Sequence, residues 1–512
     1  MTQSFSQELS ASVLAELVAG GVTNFYLAPG ARSQSLAIAA GQLAQAHEIN
    51  LTVLIDERSM GFVALGRALA TGTPSVLIVT SGTAVANLHP AVLEAHQSGV
   101  PLILLTADRP SRLRGTGANQ TTNQVGLFAD ALRACIDIPA PTKHHVPNVS
   151  ELMRELVAAT LGASHEAAIA GPVQLNLQFD EPLSGAEPTA VSVLRSISRR
   201  ALPIPKRHNH SLEISVGDGS VVVAGAGAGV QAQEFAQSAK LPLFAEPSSG
   251  ARFGENVIVN YQDLLQTDLF DRVNKVIVFG KPTLSRPIMR LIKNTEVWVV
   301  KDKSHGHFNA GLNAMGFSDS ATPKGEASTD WLESFSQVDS PATGIRAEIA
   351  KTLWDETKKD EQLLFAASEL IRQADKSVPA KNIKTFSNRG LSGIDGTIST
   401  GLGLAQAGFK TRVLLGDLAL LHDVGGLNLS GFQNLNLQLI VGNDNGGEIF
   451  SKLEMANLIE VEQFDLLFRT PQRVDFVALA AAYGWQYFKI SKAQDLKSLL
   501  SLDGFVLIEV LL

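Results

Sequence analysis

Runs of Val, Ile and Leu recur along the chain with apolar residues at successive positions rather than at every second one. They include LTVLI from residue 51, PSVLIVT from 74, VPLILLT from 100 and VQLNL from 173. Ala-rich stretches with helical spacing separate them. Strands that are apolar on both faces and alternate with helices predict parallel sheets covered on both sides. The pattern fades over residues 181–210, a Pro-, Ser- and Arg-containing stretch that reads as a linker. It resumes with SVVVAGAGAG from 220, KVIVFG from 275 and EVWVV from 296, and a polar passage over about 317–360 ends this second unit. A third unit contains TRVLLGD from 411, LQLIVGN from 437 and FVLIEVLL from 505. The expectation is an α/β chain of three successive doubly wound parallel-sheet domains, at residues 1–185, 205–330 and 350–512.

The 512 residues exceed the roughly 250–300 at which a single core stops growing, in keeping with several domains. The opening MTQSFSQELSASVLAELVAGG has the pattern of a serine-capped amphipathic helix with acidic residues, without the basic start and apolar centre of a secretory leader. No apolar run approaches the roughly 18–20 residues that span a bilayer, so a cytoplasmic, membrane-free protein is expected. Cys135 is the only cysteine, which excludes an intrachain disulfide and a thiolate metal cluster. The net charge of -8 weighs against nucleic acid as a partner and leaves small molecules as the expected ligands.

Chemistry enters where two apolar runs end. LIVGNDNGGEIF, residues 439–450, passes from a strand into Asn443, Asp444, Asn445 and two glycines, and VLLGDLALLHD ends its strand at Gly416 and Asp417. One strand–helix–strand crossover would bring both clusters to the carboxyl edge of a parallel sheet, where open α/β sheets bind ligands. Asp417, Asp444 and the carbonyl of Gly446 are hard oxygen donors suited to Mg²⁺ and to the phosphate oxygens that complete its shell. Two unrelated turn clusters would have the same composition.

The pair resembles the thiamin diphosphate signature, a GDG followed by NN, with Leu418 in place of the third glycine and Asp444 in place of an Asn. APGARS (28–33), DERSMGFVALG (56–66), TSGTAVANLHPAVLEAH (80–96), LTADRPSRLRGTGANQT (105–121), SNRGLSGIDGTIST (387–400), GDLALLHD (416–423) and NDNGGEIF (443–450) follow in order. Together they resemble the 2-succinyl-5-enolpyruvyl-6-hydroxy-3-cyclohexene-1-carboxylate synthases of menaquinone biosynthesis, among the thiamin diphosphate-dependent decarboxylases and carboligases. The resemblance spans nearly the whole chain, strongly in the first and third units and weakly in the middle one.

It implies an aminopyrimidine-binding first domain, a central domain and a diphosphate-binding third domain. Glu57 would activate the cofactor through its aminopyrimidine ring. Ile394 would prop its bent shape, and Gly416, Asp417, Leu418, Asn443 and Ile449 would line it. Asp417, Asp444 and Gly446 would hold Mg²⁺ or Mn²⁺. Arg32, Arg109, Asn119, Gln120, Arg286, Ser368, Arg372 and Arg389 fall where the family binds substrate carboxylates and hydroxyls, with Phe450 and Leu453 as apolar walls. Arginine suits this task because its planar fork pairs bidentately with carboxylate. Ala31 replaces a serine of the usual PGSRS, which removes one polar contact. The implied substrates are 2-oxoglutarate and isochorismate, and the implied assembly is a homodimer or dimer of dimers with active sites at the subunit interface.

Two readings stay open beside this one: another thiamin-dependent carboligase or decarboxylase lacking the arginine set, and a non-catalytic ligand sensor built on the central glycines. Gly225, Gly227 and Gly229 follow a strand, but the spacing is not GxGxxG and no acidic ribose partner is evident, so a tight strand–helix turn is the expectation there. His89, His96 and His422 lie inside the motifs without zinc-site spacing and are expected to be structural.

Overall fold

The computed structural model describes every residue except 1–2, 166–167, 186–188, 206–209, 302–305 and 336–342. Parts of the 181–210 linker and of the 317–360 polar passage therefore lie outside the described residues. The chain divides into two compact units: residues 1–207 with 402–407 and 425–433, and residues 208–401 with 408–424 and 434–512.

The first unit is built on a six-stranded sheet. From edge to edge its strands are Asn50–Val53, Asn24–Leu27, Ser75–Val79, Leu102–Asp108, Val173–Gln178 and Ala134–Ile138, all parallel. LTVLI departs from the buried-strand expectation. Its strand lies at the sheet edge, where Val53 and Ile55 are exposed, because only one neighbour pairs with it. Helix Phe5–Ala19 is capped by the Ser4 side chain, which accepts from the Gln7 amide. It is buried on nearly every face rather than amphipathic, since it packs among helices Gln34–Gln45, Ser150–Thr160 and Ala190–Arg195. The last of these falls within the stretch read as linker. Thr189 caps it, and Ala190 and Leu194 join the apolar core, which gives those residues a fixed place in the unit.

The second unit holds two larger sheets and a two-stranded parallel one that pairs Ser211–Ser215 with Ser320–Lys324. The central one runs Ala314–Ser318, Glu296–Val300, Lys275–Phe279, Ser220–Ala224, Leu243–Ala245. The last runs Lys384–Phe386, Gln362–Phe365, Thr411–Gly416, Leu437–Asn443, Phe505–Leu511, Gln486–Ile490. Both are parallel throughout. Numbered within its own sheet, each six-stranded sheet has the order 2-1-3-4-6-5 and the central one the order 2-1-3-4-5. In all three the chain reverses direction between strands 1 and 3. That switch point opens a crevice at the carboxyl edge.

A buried ionic cluster ties the central sheet to the last one. Arg252 donates to the carbonyls of Ala245, Asp375 and Val378, and its guanidinium lies 3.5 Å from the Asp375 carboxylate. Asp375 also accepts from Tyr261 and Gln262. Burial pushes the arginine down and the aspartate up from their ordinary values, and the attraction between the two opposes both shifts. Replacing Arg252 with Met should cost about 3 kcal/mol of unfolding free energy, because it strands a buried carboxylate and three carbonyls. Urea denaturation reads this directly; a loss below about 1 kcal/mol would show that the cluster is replaceable.

Candidate active site

The strands Thr411–Gly416 and Leu437–Asn443 are neighbours, and their register pairs Gly416 with Gly442. Asp417 therefore leaves one strand beside the point where Asn443 and Asp444 leave the next. Asp417 is buried, and its carboxylate accepts from the backbone N–H groups of Leu418 and Gly446, which closes the turn over the sheet edge. Burial first, and then the Asp444 charge, push the Asp417 carboxyl up to about 6. Asp444 is likewise raised by burial, against a 2.9 Å ion pair from Arg346.

The Asn443 side chain is engaged at both ends. Its Oδ1 accepts from the Asn445 amide at 2.9 Å, and its Nδ2 donates to Glu509 at 2.7 Å. The side chain of Asn443 thus serves the turn itself. Gly446 has φ +141°, and a Cβ there would come within 2.3 Å of the Arg469 carbonyl, so glycine is required. A Cβ on Gly416, in contrast, would meet nothing nearer than the Gly442 carbonyl at 4.0 Å. The space above this strand end is open.

Two carboxylates that repel each other, a backbone carbonyl beside them and open space above the strand end fit a hard divalent cation and a diphosphate. Among the described residues no group of three or more His, Cys, Asp or Glu side chains could hold a metal ion. A cation at this edge would complete its shell with water and phosphate oxygens, as Mg²⁺ prefers.

Other predicted residues of the second unit lie around the same sheet. Ser368 follows the first strand and caps helix Glu369–Ser377 by accepting from the Leu370 amide. Ile394, Leu418, Ile449, Phe450 and Leu453 are half-buried, and Phe450 packs against Phe468 with ring centroids 6.0 Å apart. Arg389 is buried and donates through Nε and Nη2 to Thr283 Oγ1. Thr283 and Leu284 in turn donate their amides to Glu246. Arg372 donates to the Leu284 carbonyl. Arg286 is apart from this group: its side chain is exposed, with Glu454 at 3.7 Å.

In the first unit, Glu57 opens helix Glu57–Thr71 behind an N-cap in which Asp56 accepts from the Arg58 and Ser59 amides. The Glu57 carboxylate is half-buried and makes no side-chain hydrogen bond or ion pair among the described residues. Arg109 donates to Ser81 Oγ at 2.9 Å and to the Gln120 carbonyl at 2.7 Å, and Gln120 returns a bond to the Ser81 carbonyl. Arg32 donates to the Phe179 carbonyl and feels both burial and the Arg109 charge, which lower its value. Arg32, Arg109 and Gln120 thus gather at the carboxyl edge of the first sheet, with Asn119 exposed on the same loop.

Of the central glycines, Gly225 is required by close packing. A Cβ on Gly225 would fall 2.0 Å from the Pro282 nitrogen, and Ala226 and Lys281 exchange backbone hydrogen bonds. The switch-point crevice of this sheet is filled by its own backbone. His96 accepts no metal role either: its ring lies 2.8 Å from the Ala131 carbonyl and beside Arg133.

Sequence reasoning missed Arg346, Thr283 and Glu246. None lies in a motif. The one signal for Arg346 was the extra charge of Asp444, which calls for a cation without saying where in the chain it lies.

A family described as "Thiamine pyrophosphate enzyme, N-terminal TPP binding domain" matches residues 7–127, which agrees with the parallel sheets and the carboxylate edge and gives the class of enzyme. Curated relatives narrow the class. The chain is 42% identical to the 2-succinyl-5-enolpyruvyl-6-hydroxy-3-cyclohexene-1-carboxylate synthase of Leifsonia xyli subsp. xyli, over 96% of this chain and 93% of that one. It is 39% identical to the synthase of the same name from Clavibacter michiganensis subsp. michiganensis, over 97% and 94%. With the Thermobifida fusca synthase it shares 36% identity over 99% and 95%. The chain belongs to this synthase family of thiamine pyrophosphate enzymes.

Glu246 supplies a pH test of the buried region behind Arg389. Burial, and secondarily the Asp375 charge, push its carboxyl up to about 8, and its Oε2 has no hydrogen-bond partner. The folded chain therefore holds this proton more tightly than the unfolded one, so the stability it confers is present at low pH and is lost as pH rises through that value. Glu246→Gln should gain melting temperature relative to the unsubstituted chain as pH climbs from about 5 to about 8. Parallel melting curves across that range would contradict the assignment.

Proposed function

We propose that the chain catalyses the decarboxylation of 2-oxoglutarate and the conjugate addition of the resulting succinyl semialdehyde unit to isochorismate. The product is 2-succinyl-5-enolpyruvyl-6-hydroxy-3-cyclohexene-1-carboxylate, an intermediate of menaquinone biosynthesis. The observation that carries the reading is the Asp417–Asp444 carboxylate edge at the ends of two neighbouring strands, the first of which flanks the switch point of the last sheet. When bound, thiamin diphosphate supplies the electron sink for breaking and making carbon–carbon bonds. Asp417, Asp444 and the Gly446 carbonyl hold Mg²⁺ or Mn²⁺ on its diphosphate, while Gly416, Leu418, Asn443 and Ile449 line it and Ile394 props it. Glu57 holds and returns a proton at the aminopyrimidine ring, a task suited to a carboxylate with no competing partner.

Substrate carboxylates and hydroxyls fall to Arg32, Arg109, Asn119, Gln120, Ser368, Arg372 and Arg389, with Arg286 at the periphery and Phe450 and Leu453 as walls. Two dicarboxylate substrates account for so many arginines at the two carboxyl edges. The residues 1–185, 205–330 and 350–512 serve as aminopyrimidine-binding, central and diphosphate-binding domains. The protein works in the cytoplasm as a homodimer or a dimer of dimers, the Glu57 domain of one chain completing the Asp417 domain of another. No helix among the described residues is long and apolar enough to cross a membrane. Exposed Leu458, Val461, Leu466 and Leu467 on the segment after the NDNGG turn offer apolar surface for pairing.

Asp417→Ala should abolish calorimetric binding of thiamin diphosphate in the presence of Mg²⁺ and leave the melting curve intact; unchanged affinity would remove the metal assignment. Arg389→Ala and Arg32→Ala should each lower the specificity constant on the order of 10–100-fold through the Michaelis constants, with cofactor affinity nearly unchanged. The deciding assay follows isochorismate loss and CO₂ release with 2-oxoglutarate or pyruvate. Preference for pyruvate would leave a thiamin enzyme of other specificity.

A further inference from the structure

Asp444 stands where the diphosphate-binding signature carries an uncharged Asn. This substitution adds a charge beside two other acidic groups of the turn, Asp417 and Glu448, of which Glu448 already faces Arg469 at 3.4 Å. A diphosphate brought to that edge would meet more negative charge than one divalent cation offsets. The structure supplies a compensating cation from outside every motif. Arg346, the second residue of helix Ile345–Glu356, donates through Nη2 to Asp444 Oδ2 at 2.9 Å, with both side chains largely shielded from solvent. Its helix and the Asp444 turn belong to the same compact unit, 98 residues apart in sequence.

We propose that Arg346 is a positioning residue for the diphosphate site: it neutralises the charge that Asp444 adds and fixes one carboxylate oxygen, leaving the other to the cation. Arginine suits the task because it stays protonated and binds in a set plane. The inference rests on the thiamin diphosphate reading and adds to it a requirement peculiar to a chain with Asp at this position. An Asn at 444 carries no charge to offset, so the need for Arg346 should vanish with the Asp.

A double-mutant cycle read by calorimetric titration with thiamin diphosphate in saturating MgCl₂ tests this without any turnover assay. Arg346→Gln should weaken binding on the order of ten-fold, and Asp444→Asn by less than about three-fold. Arg346→Gln in the Asp444→Asn background should then change affinity by less than about three-fold. Arg346→Lys keeps the charge and should bind within about three-fold of the unsubstituted chain, which keeps the test open if the glutamine variant folds poorly. Equal losses from Arg346→Gln in both backgrounds, or a lysine variant as weak as glutamine, would overturn the proposal while leaving the cofactor reading in place. Failure of the unsubstituted chain to bind the cofactor would overturn both.

Discussion

Two carboxylates forced onto one sheet edge are the constraint around which the candidate site is organised. Parallel pairing of Thr411–Gly416 with Leu437–Asn443 leaves Asp417 and Asp444 no choice of neighbour. Burial raises both toward the neutral form, with the Asp444 charge adding to the effect on Asp417 and the Glu448 charge to that on Asp444. The surroundings are shaped accordingly. The Leu418 and Gly446 amides take Asp417, Arg346 takes Asp444, and Gly446 lies so close to the Arg469 carbonyl that no side chain fits.

The three sheets show how one topology serves different ends. Each reverses between its first and third strands and so makes a crevice at its carboxyl edge. In the first sheet that edge gathers Arg32, Ser81, Arg109 and Gln120. In the last it gathers Ser368, Asp417 and Asp444. In the central sheet the backbone of residues 280–282 closes over Gly225 and Ala226, and the buried Arg252–Asp375 cluster turns that layer into support for the last sheet. Glycines after a strand therefore signify opposite things at Gly416, where space is left open, and at Gly225, where backbone fills it.

Much of this was legible in the sequence because buried parallel strands write themselves as continuous apolar runs. The runs from 74, 100, 173, 220, 275, 296, 411, 437 and 505 all became strands, and their polar ends marked the edges that carry Asp417 and Asp444. Short or mixed strands such as Ala134–Ile138, Lys384–Phe386 and Gln486–Ile490 were not visible, since partial exposure breaks the apolar run. The 51–55 run was legible as a strand but not as an edge, because edge position depends on pairing order. Helix Phe5–Ala19 looked amphipathic because Ser, Gln and Glu can be buried when neighbouring helices and caps surround them. Arg346, Thr283 and Glu246 escaped notice because their partners are distant in sequence, and contacts at that range leave no periodic trace.

The claim at the centre is that Glu57 and the Asp417–Asp444 edge act on one cofactor, with each active site built from two chains. Mixing Glu57→Gln chains with Asp417→Ala chains under subunit exchange, and following isochorismate consumption with 2-oxoglutarate, tests it most directly. Each parent alone should be inactive, while the mixture should recover activity that neither has, since half the sites in a mixed dimer would carry both intact groups. Verified mixed dimers that remain as inactive as their parents would contradict a shared site and place both groups within a single chain.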